Sequence, residues 1–186
     1  DWMESEKGVI VLLSSSGIFF VLFAALAFTD GLRRSFPLNL FIVFVMAVTL
    51  GYPVAFLCTK YTVESVLLCV VLLTQSCLAL SLLACDPNFD IVRSTGIAKM
   101  ITAYILLSSF VSTFYLLTWP HATWTHIYYA ILGCTLTMTY LVIDVQLLMD
   151  DSVVAVSPEE YVFVSVQIFL DVLNIFVYIV RIFGTK

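Results

Sequence analysis

Long apolar stretches are the feature that most limits how this chain can fold. Six of them cover most of the sequence, at residues 8–29, 37–58, 63–85, 96–119, 127–149 and 160–183. A helix of about 20 residues crosses the hydrocarbon layer of a membrane, so each stretch is long enough to span it. The stretches are too long for barrel strands and do not alternate between polar and apolar residues. We therefore predict an all-α, polytopic membrane helical bundle of six transmembrane helices, forming a single domain over residues 1–186.

The overall composition agrees with insertion into a lipid bilayer. The chain is 62% hydrophobic and 11% charged, whereas soluble domains contain about 25% charged residues. Its net charge is −5 and its eight basic residues are scattered, which argues against nucleic acid as a partner. The sequence contains neither a glycine-rich phosphate loop nor a nucleophile beside a base, so we expect a protein that is not an enzyme and carries no cofactor.

The cysteines argue against a zinc site and against a disulfide framework. All five fall within or beside apolar stretches, at positions 58, 69, 77, 85 and 134. None of them forms a CxxC pair, and no histidine lies near them in the sequence. We expect buried, reduced thiols at these positions.

Two acidic residues, Asp144 and Asp171, lie inside apolar stretches rather than between them. A charged aspartate at the bilayer centre costs about 2.5–3.5 kcal/mol on insertion scales, so such residues usually face a cavity, a partner or an ion pathway. The two stretches are consecutive and antiparallel. Helical rise places Asp171 about 16 Å and Asp144 about 9 Å from the same end of the pair. A tilt or a helix break would have to close the remaining gap of about 7 Å.

If the two carboxyl groups meet, they form a pH-sensitive latch between helices. Two carboxylates in a medium of low dielectric constant cannot easily both ionise, so they share a proton. Gln146 lies two residues after Asp144, while Gln167 and Asn174 lie four and three residues from Asp171 on one side of the helix. These three amides are candidate supporting groups for the pair.

Two readings of the aspartates remain open at this point. In the first they are functional, and Arg33 or Arg34 is a candidate partner for Asp144, because both arginines lie in the polar turn on the nearer face. In the second, each aspartate is part of an ion pair or is neutral and hydrogen-bonded, and only stabilises helix packing. Arg181 is a poor partner for Asp171, since it lies about 15 Å further along the same helix.

Motifs in the last third of the chain carry a family resemblance. D-x-Q begins at Asp144, P-E-E-Y at Pro158 and L-D-x-x-N at Leu170, in that order. Together they closely resemble the C-terminal signature of the Bax-inhibitor-motif family. Residues 31–39, with the sequence GLRRSFPLN, resemble the loop after that family's second helix and indicate its Lifeguard branch, the glutamate-receptor-associated proteins. The family usually has seven helices, so we expect that the first is missing here.

The resemblance implies a bundle around a central last helix that leaks calcium from internal stores and restrains cell death. It implies that Asp144 and Asp171 form a pH sensor that gates a pore and binds calcium transiently, and that Arg33 or Arg34 latches to Asp144. Calcium is then the permeant ion, apoptosis-regulating membrane proteins are candidate partners, and the endoplasmic reticulum or Golgi is the expected location. The alternative is a non-conducting interaction protein that restrains apoptosis by binding partners.

Overall fold

The computed structural model describes residues 5–86, 123–149 and 161–185, and all regular structure in these ranges is helical. The helices are α1 (Glu6–Phe28), α2 (Asp30–Arg34), α3 (Leu38–Cys58), α4 (Val63–Ala84), α5 (Thr123–Met149) and α6 (Tyr161–Phe183). Within the described ranges, all but α2 are long and apolar enough to cross a membrane. The prediction of an all-α membrane helical bundle is confirmed.

Five of the six predicted stretches coincide with helices to within about four residues at each end. The fourth, at residues 96–119, lies outside the described residues, so it stays a prediction, as does the single domain. The described residues fall into two compact units. The first contains residues 5–62 and 161–166, and the second contains residues 63–86, 123–149 and 167–185.

Each unit has its own helix packing. In the first unit α1 packs against α3, and the hydroxyl of Tyr52 donates a hydrogen bond of 3.2 Å to the carbonyl of Gly8. Leu26 and Met46 are among the buried side chains of this unit. In the second unit α4 packs against α5, and Cys69 and Ala130 are fully buried.

Large apolar side chains cover the outside of the spans. Phe20, Phe41 and Leu82 are exposed by 66%, 65% and 73% of their surfaces. Such exposure would be unfavourable in water but matches a hydrocarbon solvent. Hydroxyl groups inside the spans bond to carbonyls one turn earlier, as Thr49 does to Val45 at 3.0 Å, so they do not need water.

The turn predicted at residues 30–36 is partly helical, which corrects the prediction. Asp30–Arg34 form the short helix α2. Asp30 lies in its first turn and the two arginines in its last, an arrangement that complements the helix dipole. The side chain of Asn39 donates to the carbonyl of Arg33 at 3.0 Å and holds this turn onto the start of α3.

Ser65, a buried serine at the start of α4, caps the C-terminal end of α6. The hydroxyl of Ser65 accepts a hydrogen bond of 2.9 Å from the backbone N–H of Thr185. The same hydroxyl lies 3.5 Å from the carbonyl of Phe183, to which it donates. Because the last carbonyls of a helix have no partner within it, Ser65 supplies from another helix what a C-cap normally supplies locally.

We predict that Ser65→Ala destabilises the protein by about 1 kcal/mol, because it removes these two bonds from a buried position. Thermal unfolding in detergent micelles measures the change. The matched control is Ser76→Ala in the same helix, since the hydroxyl of Ser76 bonds to the carbonyl of Leu72 within α4. Equal melting temperatures for the two variants would show that Ser65 does not hold the end of α6.

Candidate functional site

Asp144 and Asp171 meet between α5 and α6. Asp144 lies five residues before α5 ends at Met149, and Asp171 lies ten residues after α6 begins at Tyr161. At 1.5 Å per residue these distances are about 7.5 Å and 15 Å. The two carboxyl groups nevertheless lie close enough to interact with each other. The depth difference expected from the sequence is therefore taken up by a relative offset of the two helices.

The surroundings of the pair disfavour two ionised carboxylates. Both side chains are half-buried. Oδ2 of Asp171 is buried and has no hydrogen-bond partner in the described part of the chain. Because an ionised carboxylate only accepts hydrogen bonds, two carboxyl groups bond to each other only when one of them is protonated. Repulsion between like charges opposes the state in which both carboxyl groups of a neighbouring pair are ionised.

The three candidate supporting amides differ in position. Gln146 is buried and Gln167 is half-buried, whereas Asn174 is exposed. Three residues rotate a helix by about 300°, so Asn174 lies about 60° around the axis from Asp171. Asn174 is thus exposed in this structure, and a supporting role for the three amides stays a prediction.

Arg33 is held by groups of its own unit. Its guanidinium pairs with the carboxylate of Asp30, donates to the carbonyl of Ala27 at 3.3 Å and lies 4.9 Å from the ring centre of Phe163. Nε of Arg33 is buried and has no hydrogen-bond partner within the described ranges. The side chain of Arg34 is exposed. A latch from either arginine to Asp144 stays a prediction.

The partners of Arg33 differ in whether they could be predicted from the sequence. Asp30 could have been found, because it stands three residues before Arg33 and such spacing pairs opposite charges on a helix. Phe163 could not have been found, since no local pattern relates it to a residue 130 positions earlier. The same holds for Ser65 and the end of α6.

The described residues offer little for a resident metal ion. No group of three or more His, Cys, Asp or Glu side chains is present in the described part of the chain. Calcium usually takes six to eight oxygen ligands, which is more than two carboxyl groups supply. None of the five cysteines is part of a disulfide. Cys69 and Cys134 are buried as expected, but Cys85 is exposed, because it follows the last residue of α4.

The described residues define a multi-pass, all-α membrane protein with two carboxyl groups in contact inside its spans. The chain belongs to the Bax inhibitor family, since the family model described as "Inhibitor of apoptosis-promoting Bax1" matches residues 3–186. The resemblance seen in the C-terminal motifs is thereby confirmed.

Two curated relatives illustrate the similarity. Protein lifeguard 3 of Homo sapiens is 23% identical over 181 residues, which are 97% of this chain and 58% of that protein. Protein lifeguard 4 of Mus musculus is 26% identical over 174 residues, which are 93% of this chain and 66% of that protein. The chain thus spans less than two thirds of the length of these relatives. No solved structure matches the chain.

We predict that Arg33 and Phe163 stabilise the first unit jointly. In a double-mutant cycle of Arg33→Gln and Phe163→Leu, the coupling energy from thermal unfolding should be about 1 kcal/mol, as for a partly desolvated cation–π contact. The control cycle pairs Arg33→Gln with Phe41→Leu, whose ring is on the exposed side of α3, and it should be additive. Additivity in both cycles would contradict the contact.

Proposed function

We propose that this protein is a pH-modulated calcium leak channel, or a channel-like regulator of calcium, in an internal membrane such as the endoplasmic reticulum or Golgi, and that it thereby restrains cell death. The single observation that supports it best is the contact between the side chains of Asp144 and Asp171 inside the spans. Membership of the Bax inhibitor family supports the link to apoptosis. Intramembrane carboxyl groups commonly mark ion or proton pathways.

The gating step follows from the chemistry of the pair. With one proton, the two groups attract each other and hold α5 to α6. When the pH rises and this proton leaves, the hydrogen bond becomes repulsion between two charges. At 4 Å and an effective dielectric constant of 20 that repulsion is about 4 kcal/mol, whereas a hydrogen bond to a charged group contributes about 1.5–3 kcal/mol. The sign of the interaction reverses, and the two helices loosen at this point.

Calcium is the proposed permeant ion because it is a hard cation that prefers oxygen ligands. The loosened carboxylates would offer it such ligands transiently. Conduction needs sites from which the ion can also leave, and two carboxylates meet this condition better than a full coordination shell. In this proposal Arg33 or Arg34 latches to Asp144 in the closed state, which requires Arg33 to exchange its contact with Asp30.

A second candidate function has support of its own. The description of the family names inhibition of an apoptosis-promoting protein and no ion. On this basis the chain would be a non-conducting membrane protein that restrains apoptosis by binding regulatory membrane proteins. The carboxyl pair would then only stabilise the packing of α5 on α6.

Calcium flux into proteoliposomes across a pH series tests the leading proposal. We expect wild-type flux to increase as the pH rises, because the shared proton is lost. Asp144→Asn and Asp171→Asn should both give low flux with little pH dependence, since a neutral amide can still hydrogen-bond to the remaining carboxyl group without like-charge repulsion. Glu6→Gln removes an exposed carboxylate from the first turn of α1 and should behave as the wild type.

Two outcomes would separate the candidates. A pH dependence that is unchanged in both aspartate variants would contradict gating by the pair. Absence of calcium flux in the purified wild type, together with protection of cells from apoptosis, would favour the non-conducting interaction protein.

A further inference from the structure

A second contact between α5 and α6 is built on a glycine. A Cβ atom at Gly133 would lie only 2.3 Å from Cζ of Tyr178 and 2.7 Å from its hydroxyl oxygen. Both distances are shorter than any real Cβ contact, so the ring of Tyr178 occupies space that only glycine leaves empty. We call this space the Gly133 notch. Ala130 and Cys134, which flank it along α5, are buried, and the notch therefore faces the interior of the second unit.

The hydroxyl of Tyr178 is also held in place. It lies close enough to the side chain of Tyr129 on α5 to interact with it. A half-buried phenol in a span can find a hydrogen-bond partner only in another protein group. Tyr178 is thus fixed by shape at the Gly133 notch and by a polar contact at Tyr129.

The notch and the carboxyl pair lie at separate points along the same two helices. Tyr178 follows Asp171 by seven residues, or about 10.5 Å and two turns, which places both on one side of α6. Gly133 precedes Asp144 by eleven residues on α5, or about 16 Å. Two rigid helices that touch at one point can pivot about it, whereas two separated contacts fix their crossing. The spacing of the helices at Asp144 and Asp171 therefore depends on how closely they approach at the notch.

We propose that Tyr178, seated in the Gly133 notch, is a positioning residue that sets the separation of the Asp144 and Asp171 carboxyl groups. The ring of Tyr178 fills the notch, so it sets the distance between α5 and α6 at this point and, through the rigid helices, the separation of the two carboxyl groups. When the pair separates, the contact at the notch persists and acts as the pivot. The link to calcium flux rests on the proposed function, whereas the effect on the carboxyl pair does not.

Other titratable groups near these two contacts have distinct locations. Tyr178 faces Tyr129 and Cys134 from α5 and Arg181 from its own helix. The described part of α4, which packs against α5, carries Glu64 in its first turn, beside the Ser65 contact with the end of α6. It also carries the thiols of Cys69 and Cys77, neither of which is part of a disulfide. The carboxyl group that faces Asp144 in the described residues is that of Asp171.

Infrared spectroscopy of the protonated carboxyl band, recorded across a pH series and assigned with Asp144→Asn, tests this proposal on the full chain in liposomes. Gly133→Ala should force the ring of Tyr178 out and widen the pair. An increase from about 3 to 4 Å lowers Coulomb repulsion by about a quarter, so the two titration steps of the pair should move closer by about one pH unit.

Size complementation separates this effect from misfolding. Tyr178→Leu should also bring the two titration steps of the carboxyl pair closer together, because it leaves the notch unfilled. The double variant Gly133→Ala with Tyr178→Leu should return their separation toward the wild-type value, because the smaller side chain accommodates the new methyl group. The matched control is Gly17→Ala in α1, where an added Cβ meets nothing within 4 Å, and it should titrate as the wild type.

The positioning role would be overturned if the two titration steps in Gly133→Ala were as far apart as in the wild type. It would also be overturned if adding Tyr178→Leu did not reverse the change caused by Gly133→Ala. An equal change in Gly17→Ala would overturn it as well, since glycine replacement in any span would then suffice. If neither the wild type nor any variant conducts calcium, but the titration steps seen by infrared spectroscopy change as expected, the result would count against the leak channel and support the positioning role.

Discussion

The absence of water from the hydrocarbon layer is the constraint on which the rest of this structure depends. Every backbone N–H and C=O within a span must be satisfied by the protein, which makes helices the form these apolar stretches take. The same requirement applies to side chains. Serine and threonine hydroxyls bond back to their own helices, and larger polar groups can be accommodated only where two helices bring them together.

Because of this requirement, polar side chains of α5 and α6 lie where the two helices face each other. Asp144 meets Asp171 at one point, and Tyr129 meets Tyr178 at another. Apolar contacts between helices in lipid gain little, because lipid tails are as apolar as leucine. Polar contacts and close packing at small residues therefore determine where these helices touch. By contrast, α1, α3 and α4 present largely apolar surfaces to the surroundings.

The sequence predicted those features that depend on the local pattern of apolar residues and on the energetic cost of placing a charge in the membrane. Apolar stretches predicted the helices of the described ranges, and the energetic cost of placing Asp144 and Asp171 in a membrane marked them as candidate functional residues. It did not predict contacts that depend on how helices dock. Gly133 is an ordinary helical glycine until Tyr178 is placed against it, and Asn174 has the spacing of an interior residue although it is exposed. The offset that joins the two carboxyl groups belongs to the same class.

The bond between Ser65 and the end of α6 has a consequence for biogenesis. Ser65 accepts this hydrogen bond from a backbone N–H that lies 120 residues further along the chain. The donor is therefore synthesised after the whole of α4. Until then the hydroxyl of Ser65 lacks its final partner. The last helix can therefore dock against the start of α4 only after it has itself been synthesised and has entered the membrane.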